Sequence, residues 1–193
     1  MQHTDSLISF LKSFHILTDN EIDDFVQLST IKRLHKSDYF IREGETCKSV
    51  AFVLSGILRS YYTSDKGDDI TYCITFPQNF MTAYSSYLTN EPTQENIQAI
   101  TPTELLIIPK EKTEALVSKN SNWIFFLKVI AEQQYIELEK RTFQLLGNNA
   151  TKRYADLLKN QPNYLKSIPL QYLASYLGVS QRHLSRIRKE IAL

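Results

Sequence analysis

The amino-acid sequence predicts an α+β fold: an N-terminal β-barrel or jelly roll, one long helix, and a small C-terminal helical domain. Three observations lead there. Between Ile31 and Ile108, short runs of β-branched and aromatic residues alternate with turn signals. From Ser121 to Leu146 there is neither proline nor glycine, and apolar residues recur at helical spacing. From Leu170 a second helical pattern runs to Ile191 with a single glycine in it.

The chain opens with a helical stripe over Ser6–Leu17, made of Leu7, Ile8, Phe10, Leu11, Phe14 and Leu17. Asp19 or Asn20 can then cap a second short helix carrying Ile22, Phe25, Val26 and Leu28. The period changes after Thr30. Ile31–Leu34, Tyr39–Arg42, Val50–Leu54, Ile57–Thr63, Ile70–Phe76, Ile97–Thr101 and Leu105–Ile108 read as strands. Glu43-Gly44-Glu45, Ser55-Gly56, Asp65-Lys66-Gly67-Asp68 and Thr101-Pro102 separate them as turns. Strands this short and this many suit a barrel or jelly roll. Pro109-Lys110-Glu111 opens a return to helix through Ala115–Val117.

The long helix follows, from an Asn120/Ser121 cap to about Leu146, with Gly147 as its stop. One stripe reads Ile124, Leu127, Ala131, Gln134, Leu138, Arg141 and Leu145; another reads Phe126, Ile130, Gln133, Ile136 and Phe143. A helix apolar on more than one face buries against two surfaces. The expected pair is its own barrel and a symmetry-related copy, making this the dimerisation helix of a homodimer. Burial wholly within the monomer is the alternative. Asn149–Lys159 forms a further helix ended by Pro162. The expected division is therefore 1–120, a barrel with N-terminal helices; 121–146, the dimerisation helix; and 147–193, the C-terminal domain.

Charge separates these parts. Residues 1–146 carry 14 Lys/Arg against 19 Asp/Glu, a net −5, whereas 147–193 carry 8 against 2, a net +6. A basic end on an acidic body points to a polyanion partner for that end. Its sequence then takes the form of a helix-turn-helix. Leu170, Leu173 and Leu177 make the buried stripe of a first helix, and small Ala174 lets a second helix cross close. Gly178 supplies the left-handed turn, Val179 plugs the corner, and Ser180 caps the second helix. Leu184, Ile187 and Ile191 face inward, leaving Gln181, Arg182, His183, Ser185, Arg186, Arg188 and Lys189 outward. Arginine forks onto guanine O6 and N7, and glutamine onto adenine N6 and N7. Ser180 and the free N–H groups at the helix start suit phosphate oxygens, and Arg188 and Lys189 lie where backbone contact is expected. Double-stranded DNA is the implied partner.

Other classes are disfavoured. No segment approaches the roughly 18 unbroken apolar residues of a membrane span, and Trp123–Ile130 is interrupted by Lys128. The start Met-Gln-His-Thr-Asp lacks the basic and apolar regions of a secretory signal. Cys47 and Cys73 are too few for a disulfide framework. The expectation is a cytoplasmic protein with reduced thiols and no membrane partner. No nucleophile–base pair, metal cluster or phosphate-cradling glycine loop appears, so neither an enzyme nor a cofactor is expected.

Several motifs now join. Glu43-Gly44-Glu45, Phe52-Val53-Leu54-Ser55-Gly56 and Leu106-Ile107-Ile108-Pro109, with the long helix and the helix-turn-helix behind them, resemble one family. It is the cyclic-AMP receptor protein/fumarate–nitrate regulator family of bacterial transcription factors. The resemblance implies a cyclic-nucleotide-binding-like sensory barrel, a homodimer held by the 121–146 helix, and a near-palindromic operator. It implies base reading by Gln181, Arg182 and Arg186, with Ser180 and His183 at phosphate-contacting positions. RNA polymerase is a candidate further partner.

The departures concern the effector. The family's pocket uses Phe-Gly-Glu before a short helix, then an Arg-Ser/Thr-Ala phosphate clamp. Here those places read Asn79-Phe80-Met81-Thr82-Ala83 and Glu91-Pro92-Thr93-Gln94-Glu95-Asn96. There is no arginine for a cyclic phosphate, and Glu91 and Glu95 would repel one at a cost of kilocalories. Two thiols cannot hold an iron–sulfur cluster. His3, His15 and His35 carry no haem-ligand pattern, and no His-x-His pair supports a metal. The expectation is a pocket either empty or holding a small molecule other than cyclic AMP or GMP, lined by Phe80, Tyr84, Tyr87, Gln94 and Tyr135. The chain stops just past the second helix, leaving little room for a following β wing. An effector-sensing module whose helix-turn-helix contacts proteins is the alternative function.

Overall fold

The computed structural model describes residues 4–147 and 149–191. His3 lies outside the described residues. Leu7 and Leu11 bury the inner face of α1 (Asp5–Lys12), which is shorter than its apolar stripe. His15 turns left-handed (φ 55°) and ends the helical path, yet Phe14 and Leu17 still reach the same core from the loop. α2 (Asp19–Leu28) is capped by Thr18, not by Asp19 or Asn20. The Thr18 hydroxyl accepts from the Glu21 N–H, and the Glu21 carboxylate accepts from the Thr18 N–H at 2.8 Å.

Eight strands follow: β1 (Thr30–Leu34), β2 (Tyr39–Ile41), β3 (Ser49–Ser55), β4 (Leu58–Thr63), β5 (Asp69–Thr75), β6 (Phe80–Met81), β7 (Asn96–Ala99) and β8 (Thr103–Pro109). They form two antiparallel sheets ordered β1-β8-β3-β6 and β2-β7-β4-β5, facing each other as a jelly roll. Each run read from the sequence becomes a strand, its ends shifted by at most two residues. β6 and the short α3 (Tyr84–Thr89) are additions. Ala51 and Val53 of β3 point into the roll with Leu58, Ile97 and Leu105. Phe52, Leu106 and Ile108 point outward and are covered by the helices. Burial of both faces explains why β3 and β8 read as continuous apolar runs rather than as alternation.

α4 (Lys110–Lys119) starts directly after Pro109. α5 (Ser121–Gly147) has 27 residues, about 40 Å of helix. Only its first turns are buried: Trp123 stacks on Phe25 with ring centroids 5.1 Å apart and meets Phe126 edge-on at 5.9 Å. On the helix's other faces Ile124, Leu127, Tyr135, Leu138 and Leu145 lie exposed along one arc, and Phe125, Ile136 and Phe143 along the next. Burial of this helix wholly within the monomer is thus overturned. Arg141 also leaves the stripe in which its spacing had placed it, turning toward the C-terminal domain.

α6 (Ala150–Asn160) is capped by the Asn149 side chain, which accepts from the Lys152 N–H at 2.9 Å. α7 (Pro162–Leu165), α8 (Leu170–Tyr176) and α9 (Gln181–Ile191) complete the chain. Their core joins Tyr154, Leu165, Ile168, Leu173, Leu177, Leu184 and Ile187 to three barrel residues, Ile57, Ile74 and Ile100. Barrel and C-terminal domain therefore share one apolar cluster.

Candidate nucleic-acid interface

Helices α8 and α9 are arranged as their sequence spacing requires. Leu173, Ala174, Leu177, Leu184 and Ile187 are all buried to 2% exposure or less, so the two helices cross over a dry seam. Gly178 between them has φ +66°, the left-handed turn that glycine adopts without steric cost. The Ser180 hydroxyl accepts from the His183 N–H at 3.2 Å, an N-cap that fixes where α9 begins.

With Leu184, Ile187 and Ile191 turned inward, the opposite face of α9 is left to water. Gln181, Arg182, His183, Arg186, Arg188 and Lys189 are exposed, as is Ser180, while Ser185 is half-buried. Arg182, Arg186 and Lys189, at spacings of four and three, line one face. Among the described residues none of Arg182, Arg186, Arg188 and Lys189 is tied into a salt bridge. Their guanidinium and ammonium groups are thus available to an anionic partner.

The five candidate effector-pocket residues are scattered. Phe80 is part of an aromatic cluster with Phe10, Phe25 and Phe52, outside the roll. Tyr87 packs on the roll's interior cluster, with Lys110 over its ring at 5.2 Å. Tyr84 and Gln94 are exposed. Tyr135 lines a shallow depression on α5 with Ala131, Glu132 and Ile136, and none of the other four shares it. Glu91 is exposed, whereas Glu95 accepts a hydrogen bond from the Tyr72 hydroxyl. Burial pushes the Glu95 carboxyl above its ordinary value, opposed by hydrogen bonds from Tyr72 and Ser60. Among the described residues no three His, Cys, Asp or Glu side chains gather as a metal site, and no helix is long and apolar enough to cross a membrane.

Sequence reading passed over the contacts that hold α8. Arg59, at 4% exposure, lies between the rings of Tyr61 and Tyr172, 3.8 Å from each centroid. Arg141 sits over the Tyr176 ring at 3.9 Å and donates to the Tyr176 carbonyl. Burial lowers the Arg141 pKa and raises those of the Tyr176 hydroxyl and the Cys73 thiol. The signal available was an arginine inside an otherwise apolar and aromatic strand run, and another inside an apolar helix stripe.

A jelly roll, a long helix and a terminal helix-turn-helix define a class of two-domain architecture, and comparison with known proteins agrees with it. Residues 31–120 match the cyclic nucleotide-binding domain family. FixK2 from Bradyrhizobium japonicum is similar at TM-score 0.75 and 17% identity, over 85% of this chain and 84% of that one. A Eubacterium rectale protein assigned to the Crp/Fnr family of transcriptional regulators gives 0.73 and 18%, over 95% and 88%. The c-di-GMP-responsive global regulator CLP of Xanthomonas campestris gives 0.70 and 16%, over 91% and 92%. No curated protein sequence matches the chain. Residues 31–120 are thus similar to the cyclic nucleotide-binding domain family, and over most of its length the chain shares its fold with these solved structures.

Proposed function

We propose that this protein is a homodimeric, sequence-specific DNA-binding transcriptional regulator of the cytoplasm. Gln181, Arg182 and Arg186 read base edges in the major groove. Ser180, His183, Arg188 and Lys189 hold the phosphates. The observation that carries this reading is the face of α9: three basic side chains in register, without a salt bridge among the described residues, on a helix whose other face is fixed in a dry core. The homodimer is supported by the exposed Ile124, Leu127, Tyr135, Leu138 and Leu145 arc of α5, which a second copy would cover. Two recognition helices then enter successive major grooves roughly 34 Å apart. A regulator of this kind works at a promoter, so RNA polymerase is its further candidate partner. Any effector differs from cyclic AMP and GMP, because no arginine stands at the clamp and the acidic Glu91 and Glu95 flank it.

Arg186→Ala tests the readout. It should weaken binding to a selected site by about 1–3 kcal/mol and relax the preference at one base pair, measured by titration of labelled duplexes. Equal affinity of wild type and variant for selected and random DNA would contradict it.

A further inference from the structure

The geometry points to a second set of DNA-binding determinants that never touch DNA: the barrel grips α8 through Ser175 and Tyr172, and this grip sets the orientation of the reading helix. The inference rests on the reading that α9 enters DNA. β5 is the last strand of its sheet, so one edge carries backbone groups without a neighbouring strand. Ser175 occupies that edge. Its hydroxyl accepts from the Thr71 N–H at 2.8 Å and donates to the Asp69 carbonyl at 2.9 Å, as a paired strand would. One turn of helix earlier, Tyr172 closes over Arg59. The Arg59 guanidinium is itself fixed by Gln98 Oε1 at 2.9 and 3.1 Å and by the Asp69 carboxylate at 2.9 Å.

The far end of α8 is held as firmly, by the segments that lead into it. Arg141 of α5 donates to the Tyr176 carbonyl, and Arg153 of α6 donates to the Leu177 carbonyl at 2.7 and 3.0 Å. Cations on the last carbonyls of a helix also suit its dipole. Each of these contacts is directional. The three buried side-chain polar atoms without a partner among the described residues, Arg59 Nη1, Thr71 Oγ1 and Arg141 Nε, all belong to this joint. Apolar side chains would seal it with no orphaned donor. What the polar grip supplies instead is a defined angle.

That angle matters because α9 packs on α8 through Leu173, Leu177, Leu184 and Ile187, and so follows any rotation of α8. The grip couples α9 to the barrel and to α5, the helix about which two copies would pair. Arg182 and Arg186 remain exposed while α8 is held, so the grip leaves the reading face free. Ser175, Tyr172 and Arg59 are therefore positioning residues, acting on the spacing of two half-sites rather than on one.

The test uses the full chain and four duplexes: the selected palindrome, a single half-site, and palindromes with the half-sites moved apart or together by about two base pairs. Ser175→Ala and Tyr172→Leu should keep the dimer and the single-half-site affinity. They should lose about tenfold on the palindrome and discriminate less between the three spacings, while Ser175→Thr, which keeps the hydroxyl, restores both. Wild-type affinity and spacing preference in both variants would overturn the grip. So would an equal loss on the single half-site, which is what a merely structural defect gives. Wild-type protein that binds none of the duplexes would instead overturn the DNA-binding reading beneath it.

Discussion

Gly56 and Gly178 both adopt a left-handed backbone, at φ +88° and +66°, but their surroundings differ. A Cβ on Gly56 would stand 2.5 Å from the Pro102 carbonyl oxygen, which the backbone cannot yield, whereas one on Gly178 would find its nearest neighbour at 3.6 Å. Gly178→Ala should therefore cost only the backbone penalty, about 1–2 kcal/mol, and Gly56→Ala roughly 3 kcal/mol or more. Urea titrations of the two variants check the ranking, and equal losses would contradict it. Glu95 adds a pH dependence. Because burial raises its carboxyl in the folded state, folding favours its protonated form. That contribution is complete below the unfolded glutamate value of about 4.3 and is lost as pH rises through the raised folded value. Glu95→Gln should thus gain stability on wild type as pH increases over that interval, in thermal melts at matched ionic strength. A difference that stays constant with pH would contradict this. At this scale the α9 residues were legible because each sits at a fixed offset from a leucine or glycine. Ser175 was not, because its partner Thr71 is 104 residues away and a lone serine gives no long-range signal.

At the scale of elements, periodicity carried most of the reading. The strand runs emerged where the pattern placed them because most of their apolar residues meet the roll's core clusters, and the long helix did because its apolar spacing is unbroken by proline, although only its first turns are buried. β6 has two residues and α3 six, and the Ala83 that precedes α3 makes no side-chain cap, so neither carries a period or a start signal. The cap of α2 was misplaced by one or two residues because Asp19 and Asn20, both good capping side chains, follow the threonine that forms the actual box with Glu21. α5 makes the sharpest prediction here. Leu138 is 62% exposed in the single chain, on the arc a second copy would cover. Leu138→Arg should convert a dimer to a monomer of 22.4 kDa by light scattering. An unchanged mass would place the dimer elsewhere.

For the whole molecule, charge and core run in opposite senses. The +6 of residues 147–193 and the −5 of the remainder mark off a basic end, but Ile57, Ile74 and Ile100 carry the barrel's surface into that end's core. The separation of charge was visible in composition. The shared core was not, because those isoleucines read equally well as ordinary strand residues. Their joining means that α9 is presented by the whole chain rather than by a tethered module. A rigid pair of such chains would read DNA with two-fold symmetry and one half-site spacing. Selection of bound duplexes from a random pool tests this most directly. Enrichment of a near-palindrome with half-site centres about one helical turn apart is the expected result. Recovery of no consensus, or of a single unpaired half-site, would contradict it.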